Sequence, residues 1–129
     1  MAYPRATCRA VAAADLVFAN TLEYDLLLRM CDPPREVVVK KGAQGAVYRS
    51  SGQSVAATAP IVDVVDPTGA GDAFAGAYLA RRLDGASHAA ALSDACRVGA
   101  AAVESFGADA LLRAAPRLRQ RLGDGSPDA

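Results

Sequence analysis

Residues 61–72 constrain this chain more than any other stretch. A mostly apolar, strand-like run at 61–65 meets Asp66-Pro67-Thr68-Gly69-Ala70-Gly71-Asp72, and a helical pattern starts behind it. Strand, glycine-rich turn and helix together present backbone N–H groups to an anion. The amides of a helix's first turn have no intrahelical acceptor, and the helix dipole puts positive potential at the same place. Gly69 and Gly71 allow steep turns and a close approach of backbone to a ligand. Asp72 stands apart from this pattern. A carboxylate in a first turn suits the dipole but repels a phosphate, so beside an anion hole it fits a base acting on an incoming hydroxyl. The plainer alternative is a strand-to-helix turn with an N-terminal acid selected for folding alone, and the turn by itself does not separate the two.

The spacing does exclude two familiar phosphate loops. No Gly-x-x-x-x-Gly-Lys-Ser/Thr occurs, and Gly69, Gly71 and Gly76 fall as G-x-G-x-x-x-x-G, not G-x-G-x-x-G. With 129 residues the chain suits one domain and not comfortably two. Its hydrophobic share of 52% includes much alanine and no tryptophan, so the core depends on the Val, Leu, Ile and Phe positions. Lys+Arg and Asp+Glu both number 14, which leaves no overall basic field for nucleic acid. No run reaches the ~18 apolar residues of a membrane span, and no charged-then-apolar leader opens the chain. Cys8, Cys31 and Cys96 are odd in number and show no C-x-x-C pair, so free thiols in a reducing cytoplasm are expected.

Along the chain, residues 1–14 read as a ragged lead-in, with no clear periodicity over 1–9. Residues 16–19 read as a short buried strand. Asn20-Thr21-Leu22-Glu23 opens a helix, with Asn20 and Glu23 spaced as a cap and its reciprocal acid. Leu22, Leu26 and Met30 recur at steps of four. Pro33 and Pro34 close that helix, and 36–40 (Glu-Val-Val-Val-Lys) reads as a central strand. A turn at 41–45 leads to a second strand, and 54–58 reads as an edge strand. After Asp72, Phe74, Ala77, Tyr78 and Arg81 keep helical spacing, with Ala73, Gly76 and Ala80 as small residues for close approach. Ser87 caps a further helix with a stripe of Leu92, Ala95, Cys96, Gly99, Ala102, Val103 and Phe106. Gly107 stops it, Asp109 caps a last helix, and 123–129 is expected to be a polar, disordered tail. His88 reads as a solvated surface histidine and Cys96 as a buried, small apolar thiol. Arg81, Arg82 and the arginines from 113 to 121 read as solvated helix faces, since no aromatic residues are interleaved with them.

Alternating strands and helices imply an α/β fold, a largely parallel sheet flanked by helices. The run from Asp66 to residue 79 closely resembles the second signature of the ribokinase-like (PfkB) carbohydrate kinases, Asp-x-x-Gly-Ala-Gly-Asp followed by a small-residue helix. Asn20-x-x-Glu23 resembles that family's phosphate-and-magnesium motif. Lys40, Gly42 and Gly45 match its Lys/Thr-x-Gly-x-x-Gly segment, which lines the nucleotide site. The resemblance spans roughly 15–112 and implies the C-terminal part of a PfkB kinase domain (15–122), without the N-terminal part that brings most sugar contacts and a lid.

The implied activity is transfer of the ATP γ-phosphoryl group to a hydroxyl of a sugar or nucleoside. Asp72 is the base, and the amides of Gly69, Ala70 and Gly71 hold the developing charge. Asn20, Glu23, Lys40, Gly42, Gly45, Gly71 and Cys96 lie at the nucleotide. Glu23 meets Mg²⁺ through water, and Asp66 and Thr68 match a monovalent-cation site, which implies K⁺. The alternative is a non-catalytic nucleotide-binding module that needs a partner chain, with nucleosides such as adenosine as the second substrate class. The expected partners are ATP and a small sugar or nucleoside, with a homo-oligomer or a complementing N-terminal chain also expected. Nucleic acid and membrane are not.

Overall fold

The computed structural model describes the backbone of residues 2–63 and 69–104, and side chains from residue 5. The chain runs α1 (Ala2–Ala13), β1 (Val17–Asn20), α2 (Thr21–Met30), β2 (Glu36–Lys40), β3 (Ala46–Ser50), β4 (Gln53–Ala57), α3 (Ala70–Leu83) and α4 (His88–Val103). The four strands form one sheet in sequence order. β1 and β2 are parallel, joined through α2, whereas β2–β3 and β3–β4 are antiparallel. The sheet is therefore mixed, where the sequence pattern predicts it largely parallel. The connections at 41–45 and 51–52 are too short for a crossover and allow only hairpins.

The sheet is covered on both faces. Val37, Val38 and Val39 are all buried, as a strand with helices on either side requires. Val38, Ala46 and Tyr48 share a core with Phe74, Ala77 and Tyr78 of α3 and Ala91, Leu92, Ala95 and Cys96 of α4, and Phe18 and Val55 pack against it. The alternate residues Ala19, Val37, Val39 and Val47 face the other way, where α2 lies against β1 and β2 and α1 lies against α2. Burying a side chain the size of Leu92 is worth about 1.5–3 kcal/mol, so the α3–α4 layer carries most of the sheet's cover.

Several details differ from the sequence expectation. Residues 2–13 form helix α1, although 1–14 reads as ragged; Val11 is its buried anchor. Cys8 and Cys31 are not free thiols: they form a disulfide, Cα–Cα 5.3 Å, joining α1 to the C-cap of α2. A separation of 23 residues gives no sign that α1 folds back along α2. Cys96 is free and buried, as expected.

The expected strand 61–65 is not seen over 61–63, and Ile61 is fully exposed. Val64 and Val65, Phe106 and Gly107, the last helix from Asp109 and the tail lie outside the described residues. A Cβ on Gly76 would meet no described atom within 4 Å, so Gly76 is not a close-approach point.

Two polar clusters brace the α3–α4 layer. Asp94, almost fully buried, accepts from Arg81 Nε at 2.9 Å and from Arg97 Nη1 at 3.2 Å. Arg81 is thus a core tie and not a solvated face. A buried carboxylate needs such partners, because alone its desolvation costs several kcal/mol, about what its pairing restores. His88 is not a free surface group either. Its ring stacks on Tyr48 at 3.7 Å, and its Nδ1 lies 2.7 Å from the Tyr78 hydroxyl. The Tyr48 hydroxyl donates to Glu36. Sequence order gives no hint of this cluster, because its members come from β2, β3, α3 and α4.

Candidate active site

The parallel pair β1–β2 ends at Asn20 and Lys40, which are register partners. Asn20 is also the N-cap of α2. Its side-chain oxygen accepts from Glu23 N at 2.7 Å, and Glu23 Oε1 accepts from Asn20 N at 2.9 Å, a complete capping box. Lys40 lies two residues beyond Val38, so it points to the same face, toward α3. Its Nζ lies 3.0 Å from the point a Cβ on Gly71 would occupy. Gly71 is the second residue of α3. Gly69 caps that helix in the left-handed region (φ 79°) without any side-chain cap bond. The start of α3 therefore lies near the ends of β1 and β2, and Asp72 stands exposed in its first turn.

These elements enclose a cavity of about 470 Å³. It brings together Asn20, Lys40, Gly42, Gly45, Ala70, Gly71 and Cys96, all expected at the site from sequence. Glu23, Gly69 and Asp72 stand beside it without lining it, and Asp66 and Thr68 lie outside the described residues. Among the described residues no cluster of His, Cys, Asp and Glu forms a metal cage.

Sequence reasoning missed the rest of the wall: Ala43, the segment Ala59, Pro60, Ile61 and Val62, and the helical residues Phe74, Gly99, Ala100 and Val103. A signal existed for Gly99 and Val103, which follow Cys96 on its helical stripe. None existed for 59–62, whose role depends on where β4 ends.

Local structure fixes the wall. Gly45 has φ 93°, and a Cβ there would land on the Ala57 carbonyl, 2.9 Å from its carbon. Only glycine lets β3 leave this turn and pair with β4. Burial pushes the Cys96 thiol pKa up, so Cys96 serves the cavity as a small neutral surface and not as a nucleophile. The cavity is thus polar at one end, at Asn20, Lys40 and the start of α3, and apolar over the rest. It opens at the carboxyl ends of the parallel strands, where open α/β sheets bind ligands.

Residues 3–115 match the pattern of the pfkB family carbohydrate kinases. The chain belongs to this family. Aminoimidazole riboside kinase of Salmonella typhimurium is 43% identical over 76 residues, 55% of this chain and 24% of that protein. ATP-dependent ribose-1-phosphate kinase of Halopiger xanaduensis is 40% identical over 81 residues, 57% of this chain and 27% of that one. The structure of the E. coli Ribokinase II in complex with ATP and Mg²⁺ superposes with a TM-score of 0.76 at 32% identity, over 91% of this chain and 42% of that one. The chain thus spans about a quarter of the length of the curated relatives it matches.

Proposed function

We propose that this chain is the nucleotide-binding and catalytic part of an ATP-dependent kinase that phosphorylates a hydroxyl of a sugar or nucleoside. The carrying observation is the cavity, which joins three segments distant in sequence, Asn20, Lys40–Gly45 and Ala70–Gly71, next to Asp72. The two curated relatives described above are named for ribose-containing substrates, which favours an acceptor of that kind.

Asp72 takes the proton of the acceptor hydroxyl, a contribution of about 10²–10⁴-fold. The amides of Gly69, Ala70 and Gly71 hold the charge that builds on the phosphoryl oxygens; one such donor is worth roughly 3–4 kcal/mol in a preorganised site. Positioning and charge stabilisation are most of what phosphoryl transfer requires. The oxygens of Asn20 and Glu23 are hard donors at the cavity's edge and fit Mg²⁺ held through water. When bound, that ion neutralises phosphate charge. Asp66 and Thr68 remain the proposed monovalent-cation site. The cytoplasm supplies ATP and is the proposed compartment, and the Cys8–Cys31 disulfide is the one feature at odds with it.

The test is calorimetric titration with a non-hydrolysable ATP analogue and Mg²⁺, alongside transfer assays on ribose and nucleosides. Asp72→Asn should keep saturable binding and lose transfer by 10²–10⁴-fold, whereas Gly71→Val should lose binding. Wild-type turnover in Asp72→Asn would sink the base assignment, and no binding by the folded wild-type chain would sink the kinase reading. Binding without transfer in the wild type would favour the second reading, a nucleotide module completed by another chain.

A further inference from the structure

We propose that Cys8 and Cys31 form a reversible thiol–disulfide clasp, closed by an oxidised thiol and opened by a dithiol, whose state fastens α1 to α2 or releases it. Three observations carry it.

The first is access. The bond joins α1 to Cys31, the C-cap of α2, and both residues are only half-buried. The third cysteine, Cys96, is free and buried in the core. Exchange requires a thiolate to reach one sulfur of the bond, and partial exposure provides the approach.

The second is how little else holds α1. Of its described side chains only Val11 is buried, and α2, against which it lies, has no buried residue. Among the described residues no ion pair involves α1. A helix of 12 residues is marginal in water without packing, so α1 depends on the bond.

The third is that the reduced pair can find its way back. Cys8 Sγ lies 3.3 Å from the carbonyl oxygen of Met30, the last residue of α2, and such a carbonyl has no acceptor role inside its own helix. A thiol at Cys8 is a weak donor to it. That contact is too weak to hold α1, but it returns the two sulfurs to bonding distance whenever the helix docks.

In a thiol-rich cytoplasm, a disulfide of this kind is usually transient and redox-sensing. That setting rests on the kinase reading; the clasp itself does not. To open it, a thiolate of the dithiol attacks one sulfur and forms a mixed disulfide, which the second thiol of the same molecule resolves. The dithiol leaves oxidised, and Cys8 and Cys31 take up its two electrons and two protons. Closure by glutathione disulfide reverses the balance: the pair loses two protons and two electrons, and two glutathione thiols leave.

The experiment equilibrates the full chain in mixtures of reduced glutathione and glutathione disulfide with a trace of dithiothreitol. Thiols are alkylated without denaturant and mapped by mass, and parallel samples are digested with trypsin. Cys8 and Cys31 should become alkylated together as the reduced fraction rises and re-pair when the ratio is reversed, with Cys96 unlabelled throughout. Cleavage after Arg5 and Arg9, both exposed on α1, should quicken on the order of 100-fold on opening, the loss expected from freeing a loop of this size. The double variant Cys8→Ser with Cys31→Ser should be cut at the fast rate in every mixture. If it fails to fold, the two redox states of the wild type carry the test. A bond that persists in fully reduced glutathione would make the disulfide a permanent brace and overturn the clasp. Equal cleavage rates in the two states would overturn it too, as would labelling of Cys96 along with the pair, which would mean that the whole fold opens. Nucleotide enters none of these readouts, so the clasp and the kinase reading fail separately.

Discussion

Single residues set the hardest constraints in this molecule, and they are glycines and charges more than large side chains. Gly45 holds a left-handed φ of 93° directly against Ala57, whereas Gly42, at φ 58°, faces open space among the described residues. Alanine at either position is strained, but only at 45 does it also collide with backbone. Gly45→Ala should therefore destabilise the fold by about 2 kcal/mol or more and Gly42→Ala by about 1 kcal/mol. Urea midpoints with unchanged m-values would check this, and equal midpoints for the two variants would refute the collision. Asn20 shows how one residue serves two ends. It caps α2 through a hydrogen bond that needs only local sequence, and it lines the cavity because β1 stops there.

Elements are tied together by contacts that no local pattern contains. α3 and α4 form the layer under the cavity, and His88, at the start of α4, links them to the sheet through Tyr48 and Tyr78. Burial, with the Arg82 charge nearby, holds the His88 pKa below its ordinary value, against a smaller opposing pull from Glu36. Burial pushes the Tyr78 hydroxyl up to about 12, so it stays protonated within hydrogen-bond distance of the His88 Nδ1. Folding therefore favours neutral His88. As pH falls below the unfolded value near 6.5, the unfolded chain takes up a proton that the folded chain resists. Stability is fully present above that value and declines as pH drops toward the folded pKa. Denaturant titrations from pH 7.5 to 5 should show this decline, and His88→Gln should remove part of it. An unchanged pH slope in that variant would mean the cluster does not hold His88 neutral.

For the whole molecule, the notable surface is α2. Leu22, Leu26 and Met30, which recur at steps of four, are 68%, 45% and 47% exposed. Tyr24 and Leu27 are half-buried, on the side of α2 away from that stripe. Period-four spacing shows that a helix has an apolar stripe but not which body covers it. An apolar stripe left open favours association. The purified chain should self-associate as concentration rises, and Leu22→Glu with Leu26→Glu should return it to monomer. Sedimentation velocity reporting a clean wild-type monomer at high concentration would count against this.

The division between sequence and tertiary structure follows the range of the interactions involved. Local rules were enough for the Asn20–Glu23 capping box, the β-forming run Glu36–Lys40, the hairpin turn at Gly42–Gln44, the glycine-led start of α3 and the Ser87 cap of α4. Each depends on residues within about one turn of each other, so each is written into consecutive letters. The family motifs lie on those same local features, and for that reason seven of the cavity residues could be named in advance. Packing alone decided that Cys8 meets Cys31, that Asp94 holds two arginines and that His88 is enclosed by tyrosines. It also brought the Lys40 ammonium to Gly71, 31 positions further along the chain, and gave the cavity one charged end. Those pairings come from sheet register and helix docking, which average over the whole core and leave no signature in any short stretch of sequence.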